Sequence, residues 1–187
     1  SKCPKIKIET LIPDFQGNKN LVEKICKAEP DVLAHNLETV ESLQSRLRPQ
    51  CRYTWSLDTL RTAAAKKDLI VKSSLMLGLG EKEEEVVRSM KDLVNVGCQI
   101  LSLGQYLRPS PQHLEVVEFI HPNKFFEYKE IGESIVKATR LATNKINDSK
   151  IEIFTRDTEA DPNTTFEVAQ ELYELSLIHI SEPTRRT

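Results

Sequence analysis

The sequence has no closely spaced cysteines and no long apolar run. Its four cysteines are too far apart to form a C-x-x-C pair or another tight metal-ligand group. No apolar run reaches the length that spans a membrane, and no basic-then-apolar signal peptide opens the chain. We therefore expect no membrane partner and reduced thiols rather than disulfides. The cysteines are Cys3, Cys26, Cys51 and Cys98.

An excess of charge of one sign is also missing. The 187 residues carry a net charge of −2, with 29% charged and 39% hydrophobic residues. This balance does not favour a broad surface for nucleic acid, so we expect no nucleic-acid partner. The length is sufficient for a sizeable core, and one domain is the default expectation.

Apolar stretches alternate with amphipathic helices over the first part of the chain. Helical spacing of residues such as Val86, Met90 and Leu93 predicts helices between the strands. This order indicates an α/β fold with parallel strands and right-handed crossovers. Four strands are too few to close a barrel, so the sheet is either open or part of something larger. The predicted strands cover residues 5–12, 31–34, 69–77 and 99–106.

The third helix has Ser56 as its candidate N-cap, and a later helix is predicted from Asn123 to about Lys145. Beyond Ile135 the regular alternation of strands and helices ends. Further on we predict a strand over 151–154, a polar loop over 157–165 and a helix over 166–175.

Polar residues stand at the predicted strand ends, where parallel α/β proteins bind ligands. Asn36 and Glu38 have the donors and acceptors to hold the hydroxyls of a ribose. The alternative is that Glu38 merely opens the next helix, where a carboxylate favours the dipole. His35 is a poor metal candidate, because no second His or Cys lies at ligand spacing.

The stretch from Lys72 to Glu81 joins an apolar strand to a glycine turn. Lys72 either pairs with a carboxylate, reaches a ligand anion, or extends to water. Gly78 and Gly80 either let the backbone approach a ligand or simply turn the chain. No Gly-Lys-Ser/Thr follows, so a P-loop is not supported.

The fourth strand ends in another candidate group. Gly104 gives room for a ligand ring, while Gln105 and Tyr106 offer polar edges. His113 follows in a loop, where a structural role is favoured over a catalytic one.

Five separated motifs occur here in one order. They are Leu11–Gly17 (LIPDFQG), His35–Val40 (HNLETV), Lys72–Glu81 (KSSLMLGLGE), Leu103–Ser110 (LGQYLRPS) and His113–Val116 (HLEV). The series resembles lipoyl synthase, a radical S-adenosylmethionine enzyme. The resemblance covers roughly residues 5–132. Within it, Gln16 stands where the family usually has Arg, and Asn18 where it usually has Asp.

The resemblance implies a partial (β/α)6 radical S-adenosylmethionine barrel, of which this chain supplies the last four parallel strands with their helices. It implies insertion of two sulfur atoms, at C6 and C8, into an octanoyl-lysine on lipoyl carrier domains. Such partners are the E2 component of 2-oxoacid dehydrogenases and the glycine cleavage H protein. One [4Fe–4S] cluster cleaves S-adenosylmethionine to a 5′-deoxyadenosyl radical, and an auxiliary [4Fe–4S] cluster is the sulfur source.

The resemblance also assigns roles to individual positions. Asn36 and Glu38 correspond to ribose and methionine contacts of S-adenosylmethionine, and Lys72 and Ser74 to neighbours of its methionyl end. Other assigned positions flank the adenine. These are Met76, Gly78, Gly80, Gln105 and Tyr106.

The cluster ligands of the family have no counterpart in this sequence. Fe–S clusters are held by cysteine thiolates. The C-x-x-x-C-x-x-C motif, the auxiliary cysteine triad and the Arg-Ser-Ser-Tyr motif are all missing. We therefore expect a fragment without catalytic or metal-binding residues of its own, and inactive by itself. The complete parent is expected in the bacterial cytoplasm, or in mitochondria if eukaryotic.

Three regions are expected along the chain. Residues 1–134 form the partial barrel, 135–175 have no match in the family, and 176–187 resemble a translated sequencing adapter.

Two other functions stay open at this stage. One is another α/β barrel enzyme that uses the glycine turn for a nucleotide or phosphate. The other is a non-catalytic module that binds carrier domains.

Overall fold

The computed structural model describes residues 6–143. The chain divides into two compact units, and one of them, Ile8–Thr155, contains every described helix and strand. Of the other, Ser1–Lys7 with Arg156–Thr187, only Ile6 and Lys7 fall within the described residues. The strand predicted over 151–154, the loop over 157–165 and the helix over 166–175 lie outside them.

The described part is an alternating α/β structure with one parallel sheet, which confirms the predicted fold class. The strands lie side by side in chain order, β1-β2-β3-β4. Several boundaries differ from the prediction: the first strand is shorter than 5–12, and the third helix begins before Ser56. The elements are β1 (Glu9–Leu11), α1 (Lys19–Cys26), β2 (Val32–Ala34), α2 (Glu41–Leu47), α3 (Tyr53–Ala64), β3 (Ile70–Leu77), α4 (Glu83–Asn95), β4 (Ile100–Gln105) and α5 (Pro122–Thr143).

One face of the sheet is covered by helices and forms the core. Side chains alternate across a strand, so every second residue of β3 points to this covered face. Val71, Ser73, Leu75 and Leu77 are all buried there. Val71, Leu75 and Leu77 belong to one apolar cluster with residues of three helices, among them Val22 of α1, Leu60 of α3 and Met90 of α4.

The other face of the sheet remains accessible. We call it the open face and define it by Lys72, Ser74 and Met76 of β3 with Ser102 and Gly104 of β4. Ser74 pairs in register with Ser102, and Met76 with Gly104, so these residues point to the same side. The β3 members are all half-buried, in contrast to the fully buried residues between them.

Two cysteines contribute to the core, as predicted. Cys26 and Cys98 are buried free thiols. Burial raises the pKa of the Cys98 thiol to about 12. A thiol in this environment is an apolar packing group rather than a reactive one.

The last described helix packs on the one before it. Tyr128 and Val136 of α5 are buried in the same apolar cluster as Val86 of α4. Lys124 reinforces the contact through an ion pair with Glu83 (Nζ–Oε2 2.7 Å). The helix is continuous through residue 132, where the family resemblance ends. Within the described residues, no helix combines the length and apolar character needed to cross a membrane.

Candidate functional site

The predicted site residues gather at the open face and at the adjoining carboxyl ends of the strands. Lys72, Ser74 and Met76 follow one another along the open face of β3. Gly104 lies beside Met76, and a Cβ built at Gly104 would meet no atom within 4 Å. The structure therefore leaves space above this part of the sheet, as a bound ligand requires.

Lys72 pairs with a carboxylate rather than extending to water. Its Nζ lies 3.0 Å from Oε1 and 3.1 Å from Oε2 of Glu9, two strands away. The two side chains are 19% and 33% exposed, so the pair is partly shielded from solvent. Ala34 of the intervening strand β2 is in register with Lys72 and has a side chain short enough to let the pair pass over it.

Glu38 occupies an extension of the sheet rather than the start of a helix. Its N–H donates to the Ser74 carbonyl (2.9 Å), and its own carbonyl accepts from Met76 N–H (2.8 Å). It has a positive φ of 70°, and α2 begins only at Glu41. The alternative that Glu38 opens this helix is therefore wrong. Its backbone is fixed next to the open face.

A small pocket of about 240 Å³ lies at the ends of β1 and β2. Arg48 Nη1 donates to the Asn36 carbonyl oxygen (3.3 Å) and thereby ties the end of α2 to the end of β2. No sequence pattern indicated Arg48, because a basic residue near a helix C-terminus is ordinary. The pocket is lined by Leu11, Ile12, Pro13, His35, Asn36, Glu38 and Arg48.

His35 is the most deeply buried polar group of this pocket. Its Nδ1 lies 2.8 Å from the Ile12 carbonyl oxygen, which fixes Nδ1 as the donor because a carbonyl only accepts. Nε2 is buried and has no hydrogen-bond partner among the described residues. Desolvation by burial lowers the pKa of His35, so the ring is neutral at neutral pH.

The glycine turn after β3 is closed by its own carboxylate. Glu81 Oε1 accepts from Gly78 N–H (2.6 Å), and Oε2 accepts from Leu79 N–H (2.9 Å). Gly78 and Gly80 have φ values of 97° and 98°, which other residues rarely adopt. A Cβ on Gly78 would lie 2.3 Å from the Glu118 carbonyl oxygen. Glycine is therefore required at position 78 both by conformation and by the close approach of another segment.

That other segment follows β4 and is held by the two polar residues predicted at its end. Gln105 Nε2 donates to the Glu118 carbonyl (3.1 Å), and Gln105 Oε1 accepts from Ile120 N–H (2.8 Å). Tyr106 donates its hydroxyl to the Leu114 carbonyl (2.9 Å). Both side chains thus fasten the loop over residues 107–121. A contact of either with adenine remains a prediction.

His113 belongs to the same loop. Its Nδ1 lies 2.8 Å from Ser110 Oγ, and its carbonyl accepts from Arg108 Nε (3.0 Å). The site thus consists of the open face and the loop over residues 107–121, which Gln105 and Tyr106 hold by hydrogen bonds. Within residues 6–143, no three His, Cys, Asp or Glu side chains are grouped so that they could hold a metal ion.

Sequence relatives match from 70% to 74% of the chain. A lipoyl synthase of Caldanaerobacter subterraneus subsp. tengcongensis is 47% identical over 132 residues, which cover 70% of this chain and 46% of that protein. A lipoyl synthase of Caldicellulosiruptor bescii is 49% identical over 135 residues, covering 72% and 46%. A chloroplastic lipoyl synthase of Ostreococcus lucimarinus is 48% identical over 141 residues, covering 74% and 44%.

The matched part of the chain belongs to the lipoyl synthase family. The chain spans somewhat under half the length of the curated lipoyl synthases that it matches. No family model matches the chain. The relatives do not favour the two other functions left open by the sequence, which were another α/β barrel enzyme and a non-catalytic module.

Solved structures resemble the fold of this lipoyl synthase part at low identity. A hydroxymethylglutaryl-CoA lyase from Pseudomonas aeruginosa has a TM-score of 0.51 at 16% identity, covering 89% of this chain and 50% of that one. The corresponding lyase of Brucella melitensis has a TM-score of 0.51 at 17% identity, covering 89% and 53%. Such neighbours are TIM-barrel-like enzymes, so the four-stranded sheet is consistent with a partial barrel.

Proposed function

We propose that this chain is part of a lipoyl synthase whose complete form inserts two sulfur atoms, at C6 and C8, into an octanoyl-lysine. In this role the open face and the strand ends form one wall of an S-adenosylmethionine site. The observation that carries the proposal is the placement of the matched motifs. They lie at the accessible face and at the carboxyl ends of one parallel sheet, where α/β barrels bind their substrates.

The residues present fit an adenosyl ligand. Asn36 and Glu38 provide an amide and a carboxylate beside the open face, suited to the two hydroxyls of a ribose. Open space lies directly above Gly104, because a Cβ there would meet nothing within 4 Å, and we propose that a planar ring of the ligand lies on this side. When bound, S-adenosylmethionine supplies radical chemistry that removes hydrogen from unactivated carbon.

The remaining predicted residues have more indirect roles in this proposal. Lys72 is held by Glu9, so its positive charge on this wall is matched by one negative charge. Ser74 and Met76 contribute a hydroxyl and an apolar surface. Gly78 and Gly80 shape the turn, while Gln105 and Tyr106 fasten the loop beside it.

The residues present do not fit the two [4Fe–4S] clusters. Such clusters need sets of thiolates, and here Cys26 and Cys98 are buried in the core while Cys51 stands alone. We propose that other parts of the whole protein hold both clusters. The partners of that whole protein are octanoylated carrier domains, and its location is the bacterial cytoplasm, or the mitochondrion in a eukaryote.

A chimeric enzyme tests this proposal. Residues 8–132 replace the matching stretch of the Caldicellulosiruptor bescii lipoyl synthase, and lipoyl formation is measured on an octanoylated H protein. We expect a cluster-loaded chimera that cleaves S-adenosylmethionine and forms product. Glu38→Gln in the chimera is expected to weaken S-adenosylmethionine binding, while Glu84→Ala, an exposed change on α4, is the matched control. A folded, cluster-loaded chimera that fails to bind S-adenosylmethionine would contradict the proposal.

The chain alone is expected to be inactive. After reconstitution with iron and sulfide it should yield no 5′-deoxyadenosine, because it lacks the cysteine groups that hold the clusters. Production of 5′-deoxyadenosine by the isolated chain would refute this expectation.

A further inference from the structure

The glycine turn resembles an anion-binding site, but its backbone N–H groups already bind the carboxylate of Glu81. Successive backbone N–H groups in a glycine turn before a helix are the usual donors to a ligand phosphate. Here the N–H groups of Gly78 and Leu79 donate to the two carboxylate oxygens of Glu81, at 2.6 and 2.9 Å. Hydrogen bonds to an ionised acceptor are the strong ones.

The turn is also fixed from the opposite side. The Gly78 carbonyl accepts from Val117 N–H at 2.8 Å. Gln105 holds the same segment through the Glu118 carbonyl and Ile120 N–H. Since the Gly78 N–H is engaged by Glu81 and the Gly78 carbonyl by Val117, the turn cannot present this N–H to a ligand without losing the contact with Glu81.

The surroundings add negative charge. Three glutamates, Glu83 to Glu85, form the first turn of α4 directly after the glycine turn. Lys124 neutralises part of this charge through its ion pair with Glu83. A phosphate approaching Gly78 would therefore meet the Glu81 carboxylate at the donors themselves and further carboxylates behind it.

We propose that Glu81 is a specificity-determining residue that excludes phosphorylated nucleotides from this end of the site. The turn then accepts the uncharged adenosyl part of a ligand whose substituent is a cationic sulfonium rather than a phosphate. The choice of an adenosyl ligand rests on the proposed function. The exclusion of phosphate rests on the contacts of Glu81 and on the glutamates that follow it.

The test compares phosphate and nucleoside binding in the full chain and three variants. Inorganic phosphate, AMP and adenosine are titrated against isotopically labelled protein, with the amide signals of Gly78 and Leu79 as reporters. The variants are Glu81→Gln, Glu81→Ala and the matched control Glu84→Ala, which removes one exposed charge nearby.

We expect the original chain and the Glu84→Ala control to show no phosphate response at these two amides. In the Glu81 variants the affinities for phosphate and AMP should rise by roughly tenfold or more, with adenosine affinity little changed. Glu81→Gln keeps an oxygen that can accept a hydrogen bond from one of the two N–H groups. This variant therefore tests phosphate binding even if Glu81→Ala fails to fold.

The outcomes separate the two proposals. If the amides of folded Glu81→Gln and Glu81→Ala do not respond to phosphate, or if Glu84→Ala responds equally, the role of Glu81 is refuted. If the original chain does not bind adenosine while the Glu81 variants gain phosphate, the role of Glu81 stands and the adenosyl assignment fails.

Discussion

The two faces of the four-stranded sheet differ in composition: the covered face is mainly apolar, and the open face carries polar and small residues. On the covered face, Leu75 is 1% exposed and packs in the core. On the open face one residue later, Met76 is half-buried beside the empty space at Gly104. The apolar residues of the covered face stabilise the fold by packing in the core. The polar and small residues of the open face do not contribute to this packing.

This contrast shows why β3 has Lys72 and Ser74 in an otherwise apolar strand, while Ser73 lies buried on the covered face. Strands of a parallel sheet covered on both faces are nearly continuous in apolar residues. Here Lys72 and Ser74 face the open side, and Lys72 is matched by Glu9. The polar residues thus mark the accessible face.

The largest expected difference between the faces is in packing. Leu75→Ala should lower the free energy of unfolding by about 2–5 kcal/mol, because it leaves a cavity in the core. Met76→Ala should cost about 1 kcal/mol or less, since its side chain is already partly in water. Urea denaturation measures both variants. Equal losses would mean that the open face is also packed.

Two glycines give the next comparison. Gly78→Ala should cost about 1–3 kcal/mol from its positive φ alone, with a further loss from the contact with Glu118. Gly104→Ala should be neutral or stabilising by up to about 1 kcal/mol, because its Cβ would enter open space and glycine weakens a strand. Thermal or urea unfolding compares the two. A faster amide exchange of Val117 in Gly78→Ala alone would show that the loop has loosened.

The ion pair between Lys72 and Glu9 on the open face should contribute less to the free energy of unfolding. A double-mutant cycle with Lys72→Met and Glu9→Gln should give a coupling free energy of roughly 1 kcal/mol or less, because both side chains are partly exposed. The coupling should decrease as salt is added. A coupling independent of salt would place the pair in a drier environment than its exposure indicates.

The last expected effect, at His35, depends on pH. Burial lowers its pKa, so the folded state binds fewer protons than the unfolded chain as the pH falls below about 6.5. Stability is therefore lost in that direction, by no more than about 1.4 kcal/mol per pH unit. His35→Asn should show a shallower loss between about pH 7.5 and about pH 5.5 in urea denaturation. An unchanged slope would exclude His35 as the titrating group.

The sequence predicted the order and type of the described elements well. Alternating apolar strands and amphipathic helices are strong local patterns, and Leu69–Leu77 was predicted within one residue of β3. The first strand was predicted too long, because the alternation of residues 5–8 continues beyond the pairing with β2, which starts at Glu9. The helix predicted from Ser56 begins at Tyr53, whose ring is buried while its hydroxyl donates to Asp92 Oδ2 (3.0 Å) and lies 3.1 Å from Ser89 Oγ.

The site was only partly predictable. Strand ends and glycines are visible in one sequence, so Asn36, Glu38 and Gly78 could be predicted as site residues from their positions, and their contact with a ligand stays a prediction. Their partners were not, because Glu9 lies 63 residues from Lys72 and Arg48 contacts a backbone oxygen, which no pattern encodes. The occupation of the glycine turn by Glu81 also depends on side-chain direction, which spacing alone does not give.

The strand order has a consequence for how such a protein can be assembled. Since β1 to β4 lie side by side in chain order, any strand that precedes or follows them in a longer chain can be added at an outer edge of the sheet without passing between existing strands. We therefore expect that residues 9–105, from β1 to β4, can be exchanged as one unit. Recombination at its two ends, in the laboratory or in evolution, would exchange one wall of an enzyme while leaving the internal hydrogen bonding of both parts intact.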